Sequence, residues 1–217
     1  TYLPDAPVPL LLGFLGGATG RLCHELLQQE ALAGCWCDIA GSTRICEVIT
    51  ETDSPEKASV YNAGGPPISQ EEHQRLHALL AQELPHADAL ICTGSLAKNL
   101  PPDEYGYWIA QARACGVLTL LDTHGAALLH SANALPDIIK INRDELRHAN
   151  AESSLPLPET WLVQGVRCVI ITDGPRPTLA LTPDGHFELT APSVMTASPV
   201  GSGDAYCAGL IASLLSR

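Results

Sequence analysis

The sequence predicts a three-layer α/β/α fold, with a mainly parallel sheet between helices and a small antiparallel β lid. Three observations lead there. Continuous apolar runs at Ala87–Cys92, Val117–Leu121, Asp137–Ile141 and Val166–Thr172 alternate with helical segments, the rhythm of parallel strands covered on both faces. Residues 35–62 break that rhythm with short alternating segments. The 217-residue chain is 46% hydrophobic and 17% charged, a composition that builds a core and excludes disorder as the main state. The expected organisation is one domain over residues 1–217, with residues 35–62 as a β-lid insertion.

The elements follow in order. Val8–Leu12 is an apolar run ending in Gly13, and Gly17 to Leu32 places Leu22, Leu26, Leu27 and Leu32 roughly on one helix face. Cys35–Ile39, Arg44–Thr50 and Ala58–Asn62 read as an antiparallel flap, with a turn at Asp53-Ser54-Pro55. Ser69 and Glu72 form a capping box that opens a helix to about Glu83. Helices are expected at Pro102–Cys115, Gly125–Asn133, Arg143–Ala149 and Leu157–Gln164, each in step with the apolar strands. Thr178–Thr182 and His186–Thr190 flank Pro183-Asp184-Gly185, a hairpin signal. A final helix spans Gly201 to Leu215.

Charge narrows the function. Twelve basic against 24 acidic residues give a net charge of −12, which exerts no general pull on nucleic acid or anionic membranes. An anionic ligand must then be held by local devices: a helix N-terminus, a placed Arg, or a metal ion. No apolar run approaches a membrane span. The start, Thr1 to Asp5, lacks the basic and apolar regions of a signal peptide and has no initiator Met, so it reads as processed or cut. The eight Cys are scattered, most of them in apolar runs, and read as reduced thiols of a cytoplasmic protein. Cys35-x-Cys37 with Cys46 lacks zinc-ligand spacing.

Ligands of open α/β sheets bind beyond the carboxyl ends of the strands. Gly13 to Gly20 opens a helix there with G-x-x-G-G-x-x-G spacing, and Asp38 follows at a dinucleotide-like distance. Gly16 and Gly17 allow close backbone approach to a ligand, or simply make a tight strand–helix turn. Gly201-Ser202-Gly203-Asp204 frees successive amides at a helix start, a geometry that binds phosphate. Asp204 in that first turn is either a helix-start acid or the group that takes a proton from an alcohol during phosphoryl transfer. Asn142 and Glu145, at i and i+3, either hold Mg²⁺ through oxygen or cap a helix. Ser95 follows a strand in Thr93-Gly94-Ser95-Leu96, and Arg44 is one of few cations. A P-loop and a G-x-S-x-G elbow are both missing from the sequence.

In combination and order these segments resemble the PfkB (ribokinase-like) family of sugar kinases. Gly201 to Asp204, led in by Thr196 to Val200, is similar to the family's G-[AS]-G-D signature. Lys140-x-Asn142-x-x-Glu145 resembles its K-x-N-x-x-E motif, and Asp122-Thr123-x-Gly125-x-x-Leu128 its D-x-[SG]-G-x-x-L. Thr93 to Leu96 followed by Pro101-Pro102 resembles S-G-S-L-P-P with an insertion. Gly13 to Gly20, Thr43-Arg44 and Asn62-x-Gly64-x-Pro66-x-Ile68 resemble the phosphosugar branch, which holds 1-phosphofructokinase, tagatose-6-phosphate kinase and the minor 6-phosphofructokinase.

The resemblance implies ATP-dependent phosphorylation of a phosphosugar such as fructose 1-phosphate. Asp204 is then the base, and the Gly201, Ser202 and Gly203 amides an anion hole. Lys140, Asn142, Glu145, Thr172 and Gly174 serve ATP, with Asn142 and Glu145 organising Mg²⁺. Arg44 binds the sugar's existing phosphate, with Gly16, Gly17 and Ser95 beside the sugar. The lid is also a candidate homodimer face. Family members carry an N-P-A-x-D strand and a G-G-K-G-x-N segment before such a region, and further helices after it, so the chain is expected to be partial at both ends. The competing expectation is a non-catalytic relative that binds sugar phosphate or nucleotide, or a Rossmann-type cofactor binder.

Overall fold

The computed structural model describes residues 8–51, 54–192 and 200–216. They form two compact units: one from residues 8–51, 54–83, 97–100 and 200–216, the other from 84–96 and 101–192.

The second unit is a six-stranded sheet in the order β10-β9-β8-β7-β6-β5. Its strands are β5 (Ala89–Thr93), β6 (Leu118–Asp122), β7 (Ile138–Asn142), β8 (Cys168–Asp173), β9 (Arg176–Thr182) and β10 (Gly185–Leu189). β5 to β8 run parallel. Helices α3 (Glu104–Ala114), α4 (Gly125–Ser131), α5 (Arg143–Ser153) and α6 (Leu157–Gln164) supply the crossovers that parallel neighbours need. β9 and β10 turn back antiparallel through the expected Pro183-Asp184 hairpin. The core follows from the apolar runs: Ile139, Ile141, Val169 and Ile171 pack with Ile109, Leu121, Leu128 and Trp161. One polar strand residue, Thr119, is fully buried. Its amide and hydroxyl both donate to Asp137 Oδ2, at 2.9 and 2.8 Å, so burial leaves neither unsatisfied.

The first unit holds β1 (Leu10–Gly16), α1 (Gly17–Gln29), β2 (Ala33–Ile39), β3 (Cys46–Glu51), β4 (Ser54–Asn62), α2 (Gln70–Glu83) and α7 (Ser202–Leu215). Two readings change here. β1 runs through Gly13, where the apolar run was expected to stop, because Gly13 pairs with Trp36 of β2. Cys35–Ile39, expected in the antiparallel flap, lies in β2 and pairs parallel with β1. The reason is topological: α1 carries the chain back to the starting end of β1, so the next strand runs alongside it. Only β3 and β4 form the antiparallel pair. Of the expected turn, Asp53 lies outside the described residues, and Ser54 and Pro55 belong to β4.

The Ser69–Glu72 capping box is present. Glu72 N–H donates to Ser69 Oγ at 3.3 Å, and Ser69 N–H to Glu72 Oε2 at 2.7 Å. The other carboxylate oxygen accepts from Ala40 N–H at 2.7 Å, so the same residue that starts α2 also fixes the end of β2. These backbone donors, Ser69 before Ala40, hold the Glu72 carboxyl below its ordinary range. Among the described residues, no helix is long and apolar enough to cross a membrane.

Candidate active site

In the second unit, the expected residues gather at the carboxyl ends of the parallel strands. Thr93 and Asp122 are register partners at the ends of β5 and β6, and Asn142 and Thr172 at the ends of β7 and β8. The loop after β5 is braced from its neighbour: Gly94 N–H donates to Asp122 O at 3.0 Å, and Thr123 Oγ1 to Gly94 O at 2.7 Å. Tyr105 of α3 adds a hydroxyl bond to Thr93 O at 2.9 Å. Ser95 sits exposed beyond this braced turn.

Asn142 is the N-cap of α5. Its side chain accepts from Glu145 N–H at 2.8 Å, and Glu145 Oε2 accepts from Asn142 N–H at 3.0 Å. Of the two alternatives weighed from the sequence, the helix cap is the one present, and it sets two oxygen-bearing side chains at a strand end. Each side chain spends one oxygen on the cap, while Glu145 Oε1 remains for a cation or its water, and oxygen donors suit Mg²⁺.

Lys140 is buried, and its ammonium lies 3.1 and 3.0 Å from the two carboxylate oxygens of Asp122. Its partner is an acid at the end of the adjacent strand β6. Asp122 had been read only as a motif residue. A cation inside an apolar strand needs a buried counter-ion, and that signal points to an acid on a neighbouring strand without saying which.

Past Thr172, Asp173 Oδ2 accepts from Arg143 Nε at 2.6 Å and Arg176 Nε at 2.8 Å. The Arg176 hydrogen bond is the main cause that keeps the Asp173 carboxyl below its ordinary range. Gly174 follows at φ +57°, in the left-handed turn into β9. Sequence reasoning missed this clamp because its three members are polar residues on separate elements.

In the first unit, Gly201 caps α7 in the left-handed region, φ +80°. Ser202, Gly203 and Asp204 make the first helical turn, and Ala205 N–H donates to Gly201 O at 2.9 Å. First-turn amides have no acceptor in their own helix ladder. Asp204 is exposed. Of the lead-in from Thr196, only Val200 lies within the described residues.

Arg44 lies in the connection between β2 and β3, just short of the strand in which it was expected. Gly16 and Gly17 adjoin that connection. A Cβ on Gly16 would meet Gly41 O at 2.1 Å, and one on Gly17, at φ +65°, would meet Ser42 Oγ at 2.3 Å. Here the small residues serve the close crossing of the chain's own backbone.

The pattern of the pfkB family carbohydrate kinase matches residues 9–217. A tagatose-6-phosphate kinase of Staphylococcus epidermidis is 28% identical, over 94% of this chain and 67% of its own length. A 1-phosphofructokinase of Bacillus subtilis is also 28% identical, and one of Xanthomonas campestris 30%, each with the same two coverages. The chain thus spans about two thirds of these relatives. Among solved structures, phosphofructokinase-2 from Escherichia coli has a TM-score of 0.80 at 20% identity, over 94% of this chain and 69% of that one.

Proposed function

The chain belongs to the pfkB family of carbohydrate kinases, and from that premise we propose that it transfers the terminal phosphoryl group of ATP to a hydroxyl of a phosphohexose such as fructose 1-phosphate. The observation that carries the reading is Asp204, an exposed carboxylate in the first turn of a helix opened by a left-handed glycine cap. Asp204 orients the acceptor hydroxyl and takes its proton. The Gly201, Ser202 and Gly203 amides, with the positive end of the α7 dipole, stabilise charge on the group in transit.

When bound, ATP–Mg²⁺ supplies the phosphoryl group and lowers its charge. Asn142 and Glu145 hold that pair from the α5 cap, and Thr172 and Gly174 meet the nucleotide at the β8 turn. Lys140 keeps Asp122 neutralised, so an anionic nucleotide meets less repulsion at the strand ends. Arg44 pairs with the phosphate already on the sugar, a task suited to a forked guanidinium, and Ser95 contacts the sugar. Gly16 and Gly17 contribute by holding the Arg44 connection close to α1. The β3–β4 hairpin is the face for a second copy, a reading supported by exposed Ile49 and Tyr61.

The test is a ligand panel on the purified chain. ATP–Mg²⁺ and fructose 1-phosphate or tagatose 6-phosphate should each raise the melting temperature, and NAD should not. Formation of ADP should depend on the phosphosugar. A shift with NAD alone would replace the kinase reading with a cofactor-binding one.

A further inference from the structure

Thr43, next to Arg44, has its backbone and side-chain polar groups bonded to one short stretch of chain. Its N–H donates to Gly16 O at 2.9 Å, and its hydroxyl accepts from Gly16 N–H at 2.9 Å. Its carbonyl accepts from Thr19 Oγ1 at 2.6 Å. A Cβ built on Gly20 would lie 3.0 Å from Thr43 Oγ1, so a glycine there leaves room for the same contact. The peptide that leads into Arg44 is therefore pinned on both sides to the β1–α1 junction.

A helix-start threonine ordinarily spends its hydroxyl on its own helix. Thr19 instead donates across 24 positions of sequence to a loop carbonyl. A loop that needed only to connect β2 to β3 would not require three bonds at one residue. A loop that must present a guanidinium at a fixed place does, because the reach of a long flexible side chain is set by where its backbone is held.

We propose that Thr19 and Thr43 are positioning residues that act through Arg44. They fix its backbone so that the guanidinium meets the phosphate of the incoming sugar, and selectivity for a phosphorylated over an unphosphorylated sugar is specified in part from the β1–α1 junction. The inference rests on the reading of Arg44 as the phosphate contact.

The experiment measures binding of fructose 1-phosphate, tagatose 6-phosphate, fructose and ATP–Mg²⁺ to the full chain and to Arg44→Ala, Thr19→Val, Thr19→Ser, Thr43→Val and Thr19→Val/Arg44→Ala. Thr19→Val and Thr43→Val should each weaken the phosphosugar by roughly three- to tenfold, the worth of one net hydrogen bond. Fructose and ATP–Mg²⁺ should be unmoved, and Thr19→Ser, which keeps the hydroxyl, should match the parent. In the Arg44→Ala background, Thr19→Val should add little, as expected when one residue acts through another. Equal weakening of all ligands by Thr19→Val would make the latch a general structural brace and overturn the proposal. So would an unchanged phosphosugar affinity in Thr19→Val and Thr43→Val when Arg44→Ala weakens it. If Arg44→Ala has no effect, or the parent binds neither phosphosugar, the Arg44 reading falls and the latch with it.

Discussion

The Lys140 ammonium grips both carboxylate oxygens of Asp122, at 3.1 and 3.0 Å, across adjacent parallel strands. The two side chains are only 7% and 13% exposed. Removing one partner of such a pair leaves a charge in a place water hardly reaches. Lys140→Met should therefore lower unfolding free energy in urea by about 3–5 kcal/mol. Lys140→Met/Asp122→Asn should recover much of that, since it leaves no lone charge. A single-variant loss under about 1 kcal/mol, typical of exposed pairs, would show that solvent already shields the site.

The α2 cap makes a pH prediction. Both Glu72 oxygens accept backbone N–H bonds, and these hold its carboxyl below its ordinary value. A carboxylate whose folded pKa is depressed favours the folded state fully above its unfolded pKa of about 4.3. That contribution fades as pH falls through the lower folded value. Stability measured from about pH 6 downward should thus decline more steeply in the parent than in Glu72→Gln, which cannot titrate there. Acid limbs of equal slope would remove Glu72 as a source of the pH dependence.

The alternation of strands and helices from Ala89 to Leu189 was legible because it is local: periodicity and turn chemistry sit within each segment. The Ser69–Glu72 and Asn142–Glu145 boxes were legible for the same reason, both partners being three residues apart. What the sequence left hidden is pairing at a distance. Cys35–Ile39 is short and alternating, so its partner could be the flap or β1, and only the return path of α1 decides it. Lys140 with Asp122, Arg143 with Asp173, and Thr19 with Thr43 each join elements far apart in the chain. Gly16 and Gly17 were marked as sites of close approach, and the chain's own residues 41–42 lie close against them, a long-range contact that spacing cannot show. The family was legible for another reason: several weak motifs occur in one order.

Glycines separate conformational from steric need. Gly174, at φ +57°, has nothing within 4 Å of a Cβ, so Gly174→Ala should cost only the left-handed penalty, about 1–2 kcal/mol. Gly17 combines φ +65° with a Cβ position 2.3 Å from Ser42 Oγ and 3.0 Å from Ser42 Cα. Gly17→Ala should cost clearly more than Gly174→Ala, because the Ser42 backbone has to move as well. Gly16 is extended, at φ −160°, so its requirement is purely steric: Gly41 O lies 2.1 Å from its Cβ. Chemical denaturation ranks the three, and equal losses at Gly17 and Gly174 would mean the 41–43 crossing yields freely.

Asp204 carries the chemical step in the proposed reaction, and its variant should separate chemistry from binding. The residue lies in the first turn of α7, where a carboxylate also interacts favourably with the helix dipole. Asp204→Asn retains the shape and keeps an oxygen at the helix start, but it is a far weaker proton acceptor. If Asp204 takes the proton of the acceptor hydroxyl, kcat should drop by at least ~10²-fold, the usual contribution of a positioned base. The KM for ATP should stay near that of the parent, since the lost interaction forms only as the proton moves. A merely structural Asp204 predicts the reverse pattern: the favourable charge at the helix start is lost, melting temperature falls, and kcat per folded molecule is kept. Measuring kcat, the KM for ATP and thermal stability on the same preparation distinguishes the two, and a near-parental kcat in a folded Asp204→Asn protein would take the residue out of the mechanism.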